Sequence, residues 1–134
     1  MIDLSAQEQE LLDAAKAATE KAYAPYSGFR VGAALLCEDG SVVTGCNVEN
    51  ASYSLTLCAE RTAIFKAISD GKRSYRCIAV YVDSEEVFPP CGACRQVIYE
   101  FSPEIPVIYG NKHGCVKTDI ASLLPGAFSL AKKL

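Results

Sequence analysis

Residues 76–109 read RCIAVYVDSEEVFPPCGACRQVIYEFSPEIPVIY. Arg76 to Asp83 is β-branched and predicts a buried strand. Pro89-Pro90 closes the following polar loop and introduces a helix from Gly92 to Phe101, and Ile105 to Tyr109 predicts the next strand. A strand–helix–strand order favours parallel neighbours, because the chain needs a crossover to return. Upstream, Cys58 to Asp70 predicts a helix with Ala63, Ile64, Ala67 and Ile68 on one face and Gly71 as its stop. Phe29 to Cys37 is strand-like, and Glu38-Asp39-Gly40 turns it into Ser41 to Cys46, an antiparallel hairpin. Asn47 to Tyr53 is polar and irregular. Ser5-Ala6-Gln7-Glu8 has the capping-box pattern and opens a first helix that Pro25 closes near Tyr23. Asp119 to Leu124 predicts a short last helix, and Pro125 to Leu134 a tail. The order is α/β, a mixed sheet with helices on both faces. There is no internal repeat, low-complexity tract or linker, so residues 1–134 form a single domain.

Composition narrows the function. Half of the 134 residues are apolar, 22% are charged and the net charge is −3. No run of like charges exceeds the pairs Glu85-Glu86 and Lys132-Lys133, which argues against a nucleic-acid partner held by bulk electrostatics. Val31 to Cys37, the longest strongly apolar stretch, falls far short of the ~20 residues of a membrane span. Met1-Ile2-Asp3-Leu4-Ser5 lacks the basic-then-apolar pattern of a secretory signal. A cytoplasmic, soluble protein with no membrane partner is expected.

The seven cysteines are Cys37, Cys46, Cys58, Cys77, Cys91, Cys94 and Cys115. An odd number without a secretory signal argues against a disulfide framework. Cys37, Cys46, Cys77 and Cys115 fall on strand-like segments, where a buried inert thiol is expected. Cys46 adjoins Asn47, so a minor place in a pocket wall is conceivable. His113, in the turn-like Gly110-Asn111-Lys112-His113-Gly114, reads as a solvated loop residue. Pro90-Cys91-Gly92-Ala93-Cys94 places two thiols at a helix mouth, where unpaired amides favour the thiolate and residues three apart share a face. By itself this motif fits zinc, a redox pair or coincidence. Leu57-Cys58-Ala59-Glu60-Arg61 also lies at a helix start. Cys58 and Glu60 can share a target only off the helix end. Two helix ends meeting at one ion supply the three thiolates Cys58, Cys91 and Cys94, with Glu60 beside it and a fourth position open for water. Three thiolates and Zn²⁺ sum to −1, which a nearby cation can offset by hydrogen-bonding sulfur. Arg61 is favoured over Arg95 for this role.

These residues match the zinc-deaminase signature, (His or Cys)-x-Glu followed by Pro-Cys-x-x-Cys. The whole chain resembles the cytidine deaminases of the small, homotetrameric type. Tyr26-Ser27-Gly28-Phe29-Arg30-Val31-Gly32-Ala33-Ala34, Asn47-Val48-Glu49-Asn50-Ala51-Ser52 and Leu123-Leu124-Pro125-Gly126-Ala127-Phe128 carry the rest of the likeness. Ser129-Leu130 departs from it, where the family often has Gly-Pro. The resemblance implies a three-layer α-β-α sandwich with about five strands, one zinc per chain, and conversion of cytidine or 2′-deoxycytidine to the uridine form with release of ammonia, as in pyrimidine salvage. It implies that Glu60 is the acid/base and that Phe29 packs on the pyrimidine. It further implies that the Ala59 backbone meets the base edge, that Asn47 and Glu49 hold the ribose, and that Tyr53 and Phe128 reach across a subunit boundary.

Other classes compete. A closed structural zinc module would recruit a spare cysteine and give Glu60 no role. A redox pair at Cys91 and Cys94 is set aside for want of the βαβ setting that such motifs prefer. A polynucleotide editor is disfavoured by the acidic balance, and a deaminase for a cytosine-containing antibiotic by Asn47-Val48-Glu49-Asn50, which reads as a ribose grip.

Overall fold

The computed structural model describes residues 3–130. Met1, Ile2 and the basic pair Lys132-Lys133 lie outside the described residues. The elements are α1 (Ala6–Ala18) with a 3-10 turn over Thr19–Lys21, β1 (Arg30–Cys37), β2 (Val42–Cys46), a 3-10 turn over Tyr53–Leu55, α2 (Ala59–Ser69), β3 (Tyr75–Asp83), α3 (Gly92–Phe101), β4 (Pro106–Asn111), β5 (Gly114–Asp119) and α4 (Ile120–Leu123). Ser5 caps α1 through a complete capping box with Glu8. No described helix is long and apolar enough to cross a membrane.

One sheet runs in the order β2-β1-β3-β4-β5. β3 and β4 are parallel and joined through α3, whereas β1 pairs antiparallel with both β2 and β3, and β5 with β4. The crossover through α2 therefore passes over β1 and joins strands that are not neighbours. Only one of the two crossovers gives the expected parallel pair. β5 is absent from the strand order that the sequence predicts, although the segment around Cys115 is strand-like. Its GCVKTD is an edge strand with no buried residue, so it lacks the apolar alternation that reveals a strand.

Side chains alternate across β1 with a period of two. Ala34 and Leu36 join Cys77, Ala79, Tyr81 and Ile108 beneath Leu11, Leu12 and Ala15 of α1. Ala33, Leu35 and Cys37 point the other way, into a cluster with Ala63, Ile64 and Ala67 of α2 and Ile98 of α3. This is the three-layer sandwich. Two glycines set how closely the layers approach. A Cβ on Gly32 would stand 1.9 Å from the Ala15 carbonyl oxygen of α1, and one on Gly45 would stand 2.5 Å from Ala63 N and 2.8 Å from Ala59 O of α2. Such distances are impossible without moving backbone, so the first turn of α2 rests directly on β2.

Candidate active site

Cys58 is the N-cap of α2 and Cys91 the N-cap of α3, both with extended backbone and neither forming a side-chain cap bond. N-caps are usually Ser, Thr, Asp or Asn, whose oxygens turn back on the helix. A thiol in that place leaves its sulfur free to face the opposite helix. Cys94 follows in the first turn of α3 and is fully buried. The Cys58 and Cys91 sulfurs are 3.9 Å apart, and all three sulfurs lie within 4.8 Å of one another. Zinc–sulfur bonds of ~2.3 Å in a tetrahedron place sulfurs ~3.8 Å apart, so the donor set fits a zinc ion. Among the described residues this is the sole cluster of three or more His, Cys, Asp or Glu with that spacing, and no spare cysteine joins it. Three ligands leave the fourth position open.

Arg61 donates from Nη2 to Cys58 Sγ at 3.2 Å and to the Thr56 carbonyl at 3.4 Å. Hydrogen bonding from Cys94 and then Arg61 pulls the Cys58 thiol down to about 5, while the same bond to Cys58 and burial hold the Cys94 thiol up. Arg95 instead binds the Pro90 carbonyl at 2.7 Å and the Leu123 carbonyl at 2.9 Å. It clamps the loop before α3 to α4 and touches no thiol.

Glu60, the second residue of α2, is only 4% exposed. Burial, reinforced by the charge of Cys58, pushes its carboxyl up to about 7, against the pull of Cys94 and Arg61. A carboxyl poised there can both accept and return a proton near neutrality.

Glu60 and the sulfurs of Cys58 and Cys91 open onto a cleft of about 330 Å³, which Ala59, Phe29, Tyr53, Asn47 and Glu49 also line. Phe29 stands just before β1 rather than in it and is half exposed. A core role for this ring is therefore excluded. Asn47 and Glu49 are buried. Asn47 accepts from Val31 N at 2.9 Å and donates to the Phe29 carbonyl at 2.8 Å. Glu49 accepts from Tyr26 N at 2.9 Å, from Ser27 N at 3.0 Å and from the Ser27 hydroxyl. Both residues thus shape the wall as well as facing the cleft. Phe128 does not line the cleft of its own chain. Its ring is exposed, and its carbonyl accepts from Gln96 at 3.0 Å.

The Ser27 hydroxyl, more than any other group, holds the Glu49 carboxyl below the usual carboxylate range. A depressed folded pKa contributes stability that is fully present above the unfolded value of ~4.3 and is lost as pH falls through the lower folded value. Ser27→Ala therefore lowers the thermal midpoint most above about pH 4.3, with the gap to the parent protein narrowing in more acid solution. A constant part remains, because the same hydroxyl accepts from Phe29 N at 3.0 Å. Melting curves across the acid range check this, and a gap that does not vary with pH counts against it.

Sequence reasoning missed Phe88, Pro89, Ser27 and Thr56 as lining residues. Phe88 meets Phe29 edge to face, with centroids 5.8 Å apart and planes at 71°. Its one signal is an aromatic residue beside the proline pair in an otherwise acidic loop. Cys46 lines a different cavity, between α1 and α2, and not the cleft. Cys37 and Cys77 are buried as expected, but Cys46 and Cys115 are only half-buried because they lie on edge strands. Cys91 and Cys94 do sit in a β3–α3–β4 crossover, so the expected lack of a βαβ setting is wrong. The third thiol beside the pair is what separates it from a dithiol redox centre. His113, in the β4–β5 turn, is exposed and faces Glu85 at 3.2 Å.

Residues 5–110 match the family model for the cytidine and deoxycytidylate deaminase zinc-binding region. A cytidine deaminase of Sporosarcina psychrophila is 56% identical over 123 residues, 90% of each chain. Another, from Halalkalibacterium halodurans, is 54% identical over 123 residues, 90% of this chain and 93% of that one. The crystal structure of cytidine deaminase from Burkholderia pseudomallei matches with a TM-score of 0.87 at 50% identity, covering 93% of this chain and 100% of that one. Sheet order, sulfur cluster and sequence agree: the chain belongs to the cytidine and deoxycytidylate deaminase family, hydrolytic deaminases with zinc as cofactor.

Proposed function

We propose that this protein hydrolyses cytidine and 2′-deoxycytidine to uridine and 2′-deoxyuridine, releasing ammonia, as a cytoplasmic homotetramer of pyrimidine salvage. The observation that carries this reading is a buried, protonatable Glu60 beside three converging thiols, at the floor of a cleft walled by Phe29 and by Asn47 and Glu49. Cys58, Cys91 and Cys94 would hold the zinc ion, which would supply a Lewis acid able to acidify a water. Glu60 takes a proton from water, delivers it to N3 so that C4 becomes electrophilic, and then carries the proton of the new C4 hydroxyl to the departing amine. A C4–O bond forms, the C4–N bond breaks, and Glu60 ends in its starting state. Arg61 holds the Cys58 sulfur and offsets the charge of the thiolates.

The other groups orient the nucleoside. Phe29 stacks on the pyrimidine, an interaction worth roughly 1–3 kcal/mol, and the Ala59 backbone meets the polar edge of the base. Asn47 and Glu49 hold the ribose hydroxyls. An ionised Glu49 repels a 5′-phosphate, which favours nucleosides over nucleotides. Tyr53, Leu55 and Phe128 are exposed; Tyr53 lines its own chain's cleft rather than reaching across a boundary, and a subunit boundary that covers these residues brings Phe128 to a neighbour's cleft. The test is loss of cytidine absorbance with ammonia release, and zinc counted in the same preparation. Turnover with about one zinc per chain supports the reading, and zinc-loaded protein inert towards cytidine rejects it. Cytidine monophosphate turned over as well as cytidine rejects the role of Glu49.

A further inference from the structure

The cleft has a wall that the reading above leaves without a task. The loop from β3 to α3 brings Phe88 and Pro89 to the cleft just before Cys91. Phe88 is partly exposed although it is a large aromatic residue. Its ring stands at 71° to that of Phe29. A base stacked on Phe29 lies parallel to that ring, so Phe88 stands nearly perpendicular to the base plane. It cannot be a second stacking face. It closes an edge.

The chemistry of cytosine says which edge. With C4 at the thiols and Glu60, and N1 towards Asn47 and Glu49, the ring has two edges left. One carries N3 and O2 and needs hydrogen bonds. The other carries only the C5 and C6 hydrogens. The start of α2 offers the Ala59 backbone and the Glu60 carboxyl, whereas Phe88 and Pro89 offer no polar side-chain atom. Turning N3 and O2 towards Phe88 and Pro89 would bury them without partners, a cost that the opposite placement avoids. C5 lies next to C4, and Phe88 and Pro89 line the same cleft as Cys91, three and two residues before it in the chain, so the C5 hydrogen meets this wall close to the reacting carbon.

We infer that Phe88, with Pro89 behind it, sets the size limit for substituents at C5 of the pyrimidine, and so decides between cytidine and its 5-substituted analogues. This rests on the cytidine reading above. Phe88 touches the base edge and takes no part in proton transfer. A methyl group forced against an aromatic wall is discriminated by about tenfold or more.

The experiment measures kcat/KM of the zinc-loaded parent, Phe88→Ala and Phe88→Leu on cytidine, 5-methylcytidine and 2′-deoxycytidine, with zinc counted for each. The ratio of 5-methylcytidine to cytidine rises roughly tenfold or more in Phe88→Ala, and by less in Phe88→Leu, whatever happens to the absolute rates. The ratio of 2′-deoxycytidine to cytidine, set at the sugar end, does not move. Should Phe88→Ala fail to hold zinc, Phe88→Leu decides by the direction of its shift. An unmoved 5-methyl ratio in a parent that turns over cytidine overturns the C5 assignment alone. Equal movement of both ratios means general loosening and overturns it too. A zinc-loaded parent that is silent on cytidine overturns the functional reading, and this inference with it.

Discussion

Glu60→Gln removes turnover and leaves zinc at about one per chain. The side chain is almost completely buried and its shape is unchanged by the replacement, so neither packing nor the sulfur cluster is disturbed. What is lost is the proton. In the proposed mechanism one carboxyl moves every proton, from water to N3 and then to the amine, and an amide moves none of them. General acid–base catalysis contributes roughly 10²–10⁴ per transfer, so the fall in kcat should reach at least that range. Uridine formation at saturating cytidine, with metal analysis of the same sample, checks it. A variant within about tenfold of the parent means that another group moves the proton.

Cys94→Ala has the other large effect, and its signature is different. Cys94 is the one fully buried member of the cluster, and its sulfur lies within 4.8 Å of those of Cys58 and Cys91. With two thiols left, zinc falls far below one per chain and turnover falls with it. The fold should survive. The cluster between the sheet and helices α2 and α3 is built from residues such as Leu35, Ile64, Ile78 and Ile98, and the one beneath α1 from Leu11, Leu12 and Ala15. Neither depends on the metal. Circular dichroism should show native secondary structure and a lower but still cooperative melting transition. A closed structural zinc module behaves otherwise, unfolding when its metal is lost. Retention of a full zinc complement by Cys94→Ala would show that Cys94 is not a ligand.

Much of this was legible in the chain because the informative segments are buried or capped. The β3–α3–β4 unit shows itself through its apolar strands and proline pair, and the first helix through Ser5 and Glu8. The three thiols and Glu60 could be placed together because each motif stands at a helix start, where side chains two apart can still converge. Harder features lack a period. β5 runs along an edge with no buried residue and no alternation. The crossover through α2 joins non-adjacent strands, a fact of sheet order that no local pattern encodes. Phe88 is one ring in a loop, given meaning only by its angle to Phe29. Arg61 and Arg95 both flank the thiols in sequence, and only packing shows that one holds sulfur and the other carbonyls. Asn47 and Glu49 were legible as polar residues of a loop after a strand, but not as braces for Phe29, Val31, Tyr26 and Ser27, since those partners are 16 to 23 residues away.

That bracing has a consequence for recognition. Within the chain itself Glu49 Oε1 already accepts two amides and Oε2 one hydroxyl, and the Asn47 amide already gives one bond and takes one. The entropy of shaping this corner was lost at folding and is not charged again when a ligand arrives. It also leaves only one lone pair on Oε2, and one donor and one lone pair on Asn47. Incoming hydroxyls must approach along those few directions. With the ribose held here as proposed, the corner would read sugar stereochemistry: a hydroxyl with inverted configuration would find its direction already taken by the protein's own backbone.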